Sequence, residues 1–181
     1  MAMRLSAIII IIVIAISGAL KVSAKDMQLY DGQITVAIPD NFVKLTPEQI
    51  VIKFGANPRA PKVVYADTPD RMKMTVAIGH SPGVQLPPLN NAAAVEFKSI
   101  LSGARNISKW NAAKAITNKN STVLFFDFVT PALESSEYNI HNFMIMGNMN
   151  SAQNIINISC TTDMDTKCQD LVDTLLLTIK M

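Results

Sequence analysis

Two hydrophobic periods meet near the end of this chain, and together they constrain its fold more than any other feature. Cys168, Leu171, Val172, Leu175, Leu176 and Ile179 recur at i, i+3, i+4, i+7, i+8 and i+11, the stripe of an amphipathic helix over about Asp165 to Lys180. Just before it, Ile156, Ile158 and Cys160 alternate, as on one face of a strand running from Ala152 to Cys160. Laying that strand face under the helix stripe buries both and brings Cys160 towards Cys168. In an oxidising compartment these two cysteines read as one structural disulfide. A redox pair favours the tighter C-x-x-C spacing, and a zinc site needs more ligands than the distant His80 and His141 readily add.

Three longer strands precede this unit, at about Ser108 to Thr117, Thr122 to Thr130 and Tyr138 to Met146. Hairpin-like connections at 118–121 and 147–150 make the run an antiparallel meander. Nearer the start, Gln33 to Ile38 alternates and stops at Pro39-Asp40-Asn41, a strand and its turn. Thr46-Pro47-Glu48-Gln49 combines a cap, a proline suited to the first helical position and a capping-box glutamine, so a short helix runs to about Phe54-Gly55. Pro58 and Pro61 bracket a loop, and Lys62 to Ala66 and Met72 to Gly79 are two strands about the Asp67–Asp70 turn. His80 to Leu89 carries too much proline and glycine for regular structure, so His80 opens a loop. Asn90 or Asn91 caps a second helix, with Ala93, Phe97, Ile100 and Leu101 on one face and Gly103 closing it. The order β-α-ββ-α-ββββ-α predicts an α+β sandwich, an antiparallel sheet with helices packed against it.

The first 24 residues have a different character. Arg4 precedes an apolar run from Leu5 to Leu20, and Val22-Ser23-Ala24 supplies a small-x-small cleavage pattern before Lys25. This is the layout of a secretory signal peptide, cut after Ala24, with residues 25–181 as one domain. The alternative is an uncleaved anchor, although the run is shorter than the roughly 20 apolar residues of a spanning helix. No cysteine lies near the cut, which excludes a lipoprotein. The chain holds 16 basic and 14 acidic residues, but Arg4 and Lys21 leave with the leader, so the remainder is balanced. A neutral domain has no electrostatic footprint for nucleic acid. The charge is uneven, with a basic excess over 44–119 and an acidic one over 120–181.

The segment Leu29-Tyr30-Asp31-Gly32-Gln33-Ile34-Thr35-Val36-Ala37-Ile38-Pro39 resembles the "L-x-D-G-x-(strand)-P" start of the DcrB family of bacterial envelope proteins. The element order through the closing helix is similar to that of the PsbP-like fold, to which that family belongs. The stretch from Ile52 to Tyr65, with Asn57-Pro58-Arg59-Ala60-Pro61-Lys62 at its centre, is similar to a segment of small exported relatives. The resemblance implies a periplasmic adaptor or binding module, not an enzyme, with a protein partner. Some exported proteins of this type serve as immunity proteins that block antibacterial effectors in the periplasm. DcrB proteins themselves are lipid-anchored, and this chain lacks the cysteine that carries the lipid.

No residue pattern here argues for catalysis or a cofactor. Neither His80 nor His141 accompanies a Ser or Cys nucleophile in a recognisable motif. Asp163, Asp165 and Asp170 lack the sixth-place glycine of a calcium loop, Cys168 standing there, and are read as charge at a helix N-terminus. Met144 and Met146, like Met72 and Met74, have the spacing of one strand face, so core packing is preferred to copper. Trp110 is read as core in preference to an interface anchor. The expected partner-binding residues are Arg59, Lys62, Tyr65, His80 and Gln85. The expected function is a non-enzymatic inhibitor of an envelope-targeted effector. An envelope accessory protein supporting a transporter or membrane complex, or a small-ligand or metal carrier, are the alternatives.

Overall fold

The computed structural model describes residues 23–58, 60–119, 121–132, 137–149 and 151–180, so Arg59 and most of the expected signal peptide, residues 1–22, lie outside the described residues. The chain is an α+β fold built on one seven-stranded antiparallel sheet. Its strands are β3 (Val43–Lys44), β4 (Val63–Ala66), β5 (Met74–Pro82), β6 (Lys109–Thr117), β7 (Thr122–Thr130), β8 (Ile140–Met149) and β9 (Ala152–Thr161). They lie in the order β3-β4-β5-β9-β8-β7-β6, so β9 runs up the middle. A separate hairpin of β1 (Ala24–Leu29) and β2 (Ile34–Pro39) pairs Leu29 with Ile34 across its turn.

Alternation along each strand sends one set of side chains to each face. On one face Val76, Ile78, Phe125, Phe143, Ile145, Ile156 and Ile158 form a core with Ile34, Val36 and Ile38 of the hairpin. Helix α3 (Asp165–Thr178) completes it through Cys168, Leu171, Val172 and Leu175, the predicted stripe. The Cys160–Cys168 disulfide joins β9 to α3, its Cα atoms 6.3 Å apart. On the other face α2 (Asn91–Ala104) covers Leu124, Phe126, Phe128, Met144 and Met146. Helix α1 (Pro47–Phe54) covers Val64, Ala66 and Ala77 through Ile50.

The local signals behave as their chemistry requires. Thr46 accepts from the Gln49 amide, and the Gln49 side chain accepts from the Thr46 amide, so both halves of the capping box form. Asn90 caps α2 through the Ala93 amide. The helix passes Gly103 and ends at Ala104, because the Arg105 amide still reaches the Leu101 carbonyl. Ile100 stays exposed at the margin of the buried stripe. Met72 has φ +46° and lies in the turn, which puts it with the α1 cluster while Met74 faces α3; the two do not share a face. The last hairpin is tighter than its sequence predicts, pairing Met149 with Ala152 and setting Ser151 at φ +62°. Asp165 puts its charge in the first turn of α3 as expected, but no side chain caps the helix: Asp163 pairs with Lys73 and Asp165 with His141.

Two strands carry too little periodic signal to be read beforehand. β3 is two residues long, and β1 exposes Lys25, Asp26 and Gln28. β5 extends three residues beyond Gly79, so His80 is a strand residue and does not open a loop. Its partner explains this. Strand β9 pairs with β5 all the way to Pro82 opposite Ala152, and tertiary pairing overrides the local proline signal.

Candidate functional site

The sheet face shared by α1 and α2 is not fully covered, and the gap is organised by the proline loop at 55–62. Gly55 ends α1 at φ +74°, its amide bonded to the Val51 carbonyl at 2.8 Å, and turns the chain away from the helix. Ala60 and Pro61 then stand between three concavities, each of which they line. A cleft of about 430 Å³ lies over the sheet between the loop and Arg105. Another of about 570 Å³ lies between the loop and α1, with Lys44 and Lys62 on its wall. The third, about 680 Å³, separates the loop from the outer edge of β5 and is lined by Tyr30, His80, Pro82 and Lys62 among others. The charged groups among the described lining residues are Lys44, Lys62 and Arg105; no carboxylate is among them.

The floor of the first cleft is a directed polar chain. Asn157 Nδ2 donates to Ser159 Oγ at 2.7 Å, and Ser159 Oγ donates to Asn142 Oδ1 at 2.9 Å. Asn142 Nδ2 then donates to the Ile140 carbonyl at 3.1 Å and to Thr130 Oγ1 at 3.2 Å. The carbonyl at one end can only accept, so it fixes both amide orientations and leaves Asn157 Oδ1 without a partner. The guanidinium of Arg105 lies over the Phe128 ring, 5.9 Å from its centre.

The third concavity owes its shape to the β1–β2 turn. Tyr30 and Asp31 both adopt left-handed backbone, φ +52° and +57°, before Gly32 at +80°. This is a costly conformation for a tyrosine. It swings the Tyr30 ring onto His80, with centroids 4.5 Å apart and planes 22° from parallel. Tyr30 Oη donates to the Ile78 carbonyl at 3.4 Å, and burial raises the phenol's pKa. His80 Nδ1 lies 2.7 Å from Asn154 Oδ1, a hydrogen bond that ties the ring to β9.

The predicted binding residues separate. Lys62 is exposed and lines the two larger concavities, and His80 is half-buried in the third. Tyr65 is 6 % exposed and belongs to the core between sheet and hairpin, so it presents no surface. Gln85 is exposed but lines none of the three. Tyr30, Lys44 and Arg105 were not singled out by sequence. Tyr30 sits inside the Leu29–Pro39 motif, and the two cations fall in the basic stretch, so signals existed without a means of joining them.

His141 lies at the opposite end of the sheet. Its Nε2 meets Asp127 Oδ1 at 2.7 Å and its Nδ1 meets Asp165 Oδ1 at 3.0 Å. Burial alone would lower its pKa, but the hydrogen bonds and charges of the two carboxylates outweigh that and the net shift is upward. Both ring nitrogens are committed, which makes His141 a tie between β7, β8 and the start of α3. Trp110 packs on Phe128 at 5.1 Å and donates to Ser102 Oγ at 3.1 Å, a half-buried brace between β6 and α2.

No protein-family model matches the sequence, and no curated protein matches it significantly. Solved structures do match in fold. The cyanobacterial PsbP protein of Synechocystis superposes with a TM-score of 0.61 at 14 % identity, over 91 % of this chain and 95 % of that one. The Ran-binding protein Mog1p of Saccharomyces cerevisiae gives 0.53 at 12 % identity, over 87 % and 95 %. LpqN of Mycobacterium tuberculosis, described as involved in cell envelope biogenesis, gives 0.53 at 11 % identity, over 87 % and 90 %. The fold is therefore PsbP-like. Among the described residues no helix is long and apolar enough to cross a membrane.

Proposed function

We propose that this chain is an exported, non-enzymatic protein-binding module whose partner is held on the concave surface around the proline loop. One observation carries the reading: three adjoining concavities meet at Ala60-Pro61, and their charged lining residues are all cations. Such a surface attracts an acidic partner and repels a basic one. Lys62 and His80 are its predicted residues, and Tyr30, Lys44 and Arg105 join them; the predicted Arg59 lies outside the described residues. The most concrete form is an immunity-type inhibitor that covers an antibacterial effector in the periplasm. Mog1p shows that this fold can serve a protein-binding role. A DcrB-like accessory role at a transporter or membrane complex is the second reading, favoured by the envelope role given for LpqN.

Export would cut the leader after Ala24 and leave residues 25–181 as one domain. That cut removes the Ala24–Pro39 pair and the Ser23 hydrogen bonds to Asp40, but leaves the pairing from Lys25–Ile38 to Leu29–Ile34. The Cys160–Cys168 bond suits an oxidising compartment.

The test is capture of the mature chain's partner from a periplasmic extract, repeated with Lys44→Glu and Lys62→Glu. An immunity protein is encoded beside a secreted toxic protein, captures it, and is needed only when that protein is delivered. The charge reversals should weaken capture strongly at low salt and hardly change stability. Transport genes as neighbours with no killing phenotype select the accessory role. Capture indifferent to both reversals overturns the cationic surface.

A further inference from the structure

The outer edge of β5 is half-built. All nine of its residues, Met74 to Pro82, pair with β9 on one side. On the other side β4 pairs only with Thr75 to Ile78. Among the described residues, Gly79 to Pro82 have no strand neighbour there, and the third concavity lies along them. We propose that this notch takes an extended, acidic segment of a partner protein as a short added strand, continuing the line of β4. The proposal rests on the partner-binding reading of the same surface and names how that partner is held.

Which backbone groups face the notch follows from Pro82. A proline inside a paired strand sits where the missing N–H would point away from the ladder. Pro82 pairs with Ala152 of β9, so its nitrogen faces the open side. Backbone groups alternate along a strand, so those of Ile78 and His80 face the same way. The Tyr30 hydroxyl, which reaches the Ile78 carbonyl from outside the sheet, agrees. The His80 N–H and C=O and the Pro82 C=O therefore look into the notch. Exposed edges of this kind are templates for pairing, and folds usually cover them. Here the chain before β4 does the opposite, because Pro58 and Pro61 carry it away from β5 as the far wall.

The walls define the guest. The proline loop and the Tyr30–His80 stack both line the notch, and the unpaired strand edge along it calls for an extended guest. Ile155 and the prolines offer apolar contact to alternate side chains, the usual specificity of strand addition. Lys62 is the charged residue at the wall, which selects acidic side chains in between. The strained Tyr30 backbone fits this role, since its left-handed turn is what puts the stack in place.

Amide exchange measured by NMR on the full chain tests this with defined probes. In the free chain the His80 amide should exchange fast, while Gly79 and Ser81, which face β9, are slow. A capped hexapeptide alternating valine and glutamate should slow the His80 amide at least about tenfold, and its lysine counterpart should do so far less. Methylating alternate peptide nitrogens in each of the two registers should abolish protection in one register and spare the other. A His80 amide already slow in the free chain overturns the proposal, as does protection that grows with protein concentration alone. Failure of the glutamate peptide at millimolar concentration, or indifference to both methylation patterns, also overturns it. If the captured partner depends on Lys62 yet leaves the His80 amide fast, strand addition falls and the cationic surface stands; if Lys62 is irrelevant, both fall.

Discussion

The two ends of β9 are treated in opposite ways. At the Thr161 end the structure is cross-linked: Cys160 is bonded to Cys168, His141 ties Asp127 to Asp165, and Lys73 pairs with Asp163. The chain entering α3 is also held by backbone, from the Thr161 amide to the Lys73 carbonyl and from Thr162 to Asn139. At the Ala152 end β5 loses its outer neighbour, three concavities open around one loop, and no carboxylate among the described lining residues answers the cations. Uncommitted polar groups lower stability, so a fold can leave them only where other contacts suffice. The sealed end supplies those contacts, and the open end is free to be shaped for a partner.

The largest expected effect comes from breaking the sealed end. Cys160 and Cys168 are both fully buried. Removing their bond by the paired Cys→Ala change should cost about 2.5 kcal/mol in the chain-entropy model for so short a loop. Urea denaturation measures it. At low urea, notch occupancy by the glutamate peptide should change less than about twofold. A large drop in the folded variant would show that the two ends are coupled.

His141 gives a smaller, pH-dependent effect at the same end. Its folded pKa is raised above the unfolded value, so its contribution is full below the unfolded pKa and is lost as pH rises through the folded one. His141→Gln should therefore cost about 2 kcal/mol near pH 5 and clearly less near pH 8. Equal costs at both pH values would mean that packing on Phe143, 4.2 Å away, and not charge, is what the ring provides.

Most of the sealed end was legible in sequence, and most of the open end was not. The stripe from Cys168 to Ile179 and the alternation from Ile156 to Cys160 are local patterns that dictate their own burial, and the disulfide follows from them. Helix starts at Thr46 and Asn90 are equally local, since a cap needs only its own three following residues. The notch depends on where two strands stop relative to each other, and no single segment records that. Pro82 reads as a loop residue until β9 is alongside it. Tyr65 reads as an interface anchor until its strand's inward face is known. Tyr30 lies inside the Leu29–Pro39 motif, but nothing in its neighbours states that its ring will cross to His80, fifty residues on.

The smallest expected stability change is therefore the most informative about the open end. Tyr30→Gly removes the ring from the His80 stack and the hydroxyl from Ile78, which should destabilise. It also relieves a left-handed backbone that costs a tyrosine about 1–3 kcal/mol and a glycine almost nothing. The two should nearly cancel, leaving a net change within about 1 kcal/mol. Tyr30→Ala keeps much of the strain and loses the same ring, so it should be the less stable variant of the two. Both should lose the notch wall and with it the glutamate peptide's protection of the His80 amide. If Tyr30→Gly is more stable than the parent and still binds, the strain serves neither fold nor site, and the contrast between the ends of β9 is structural only.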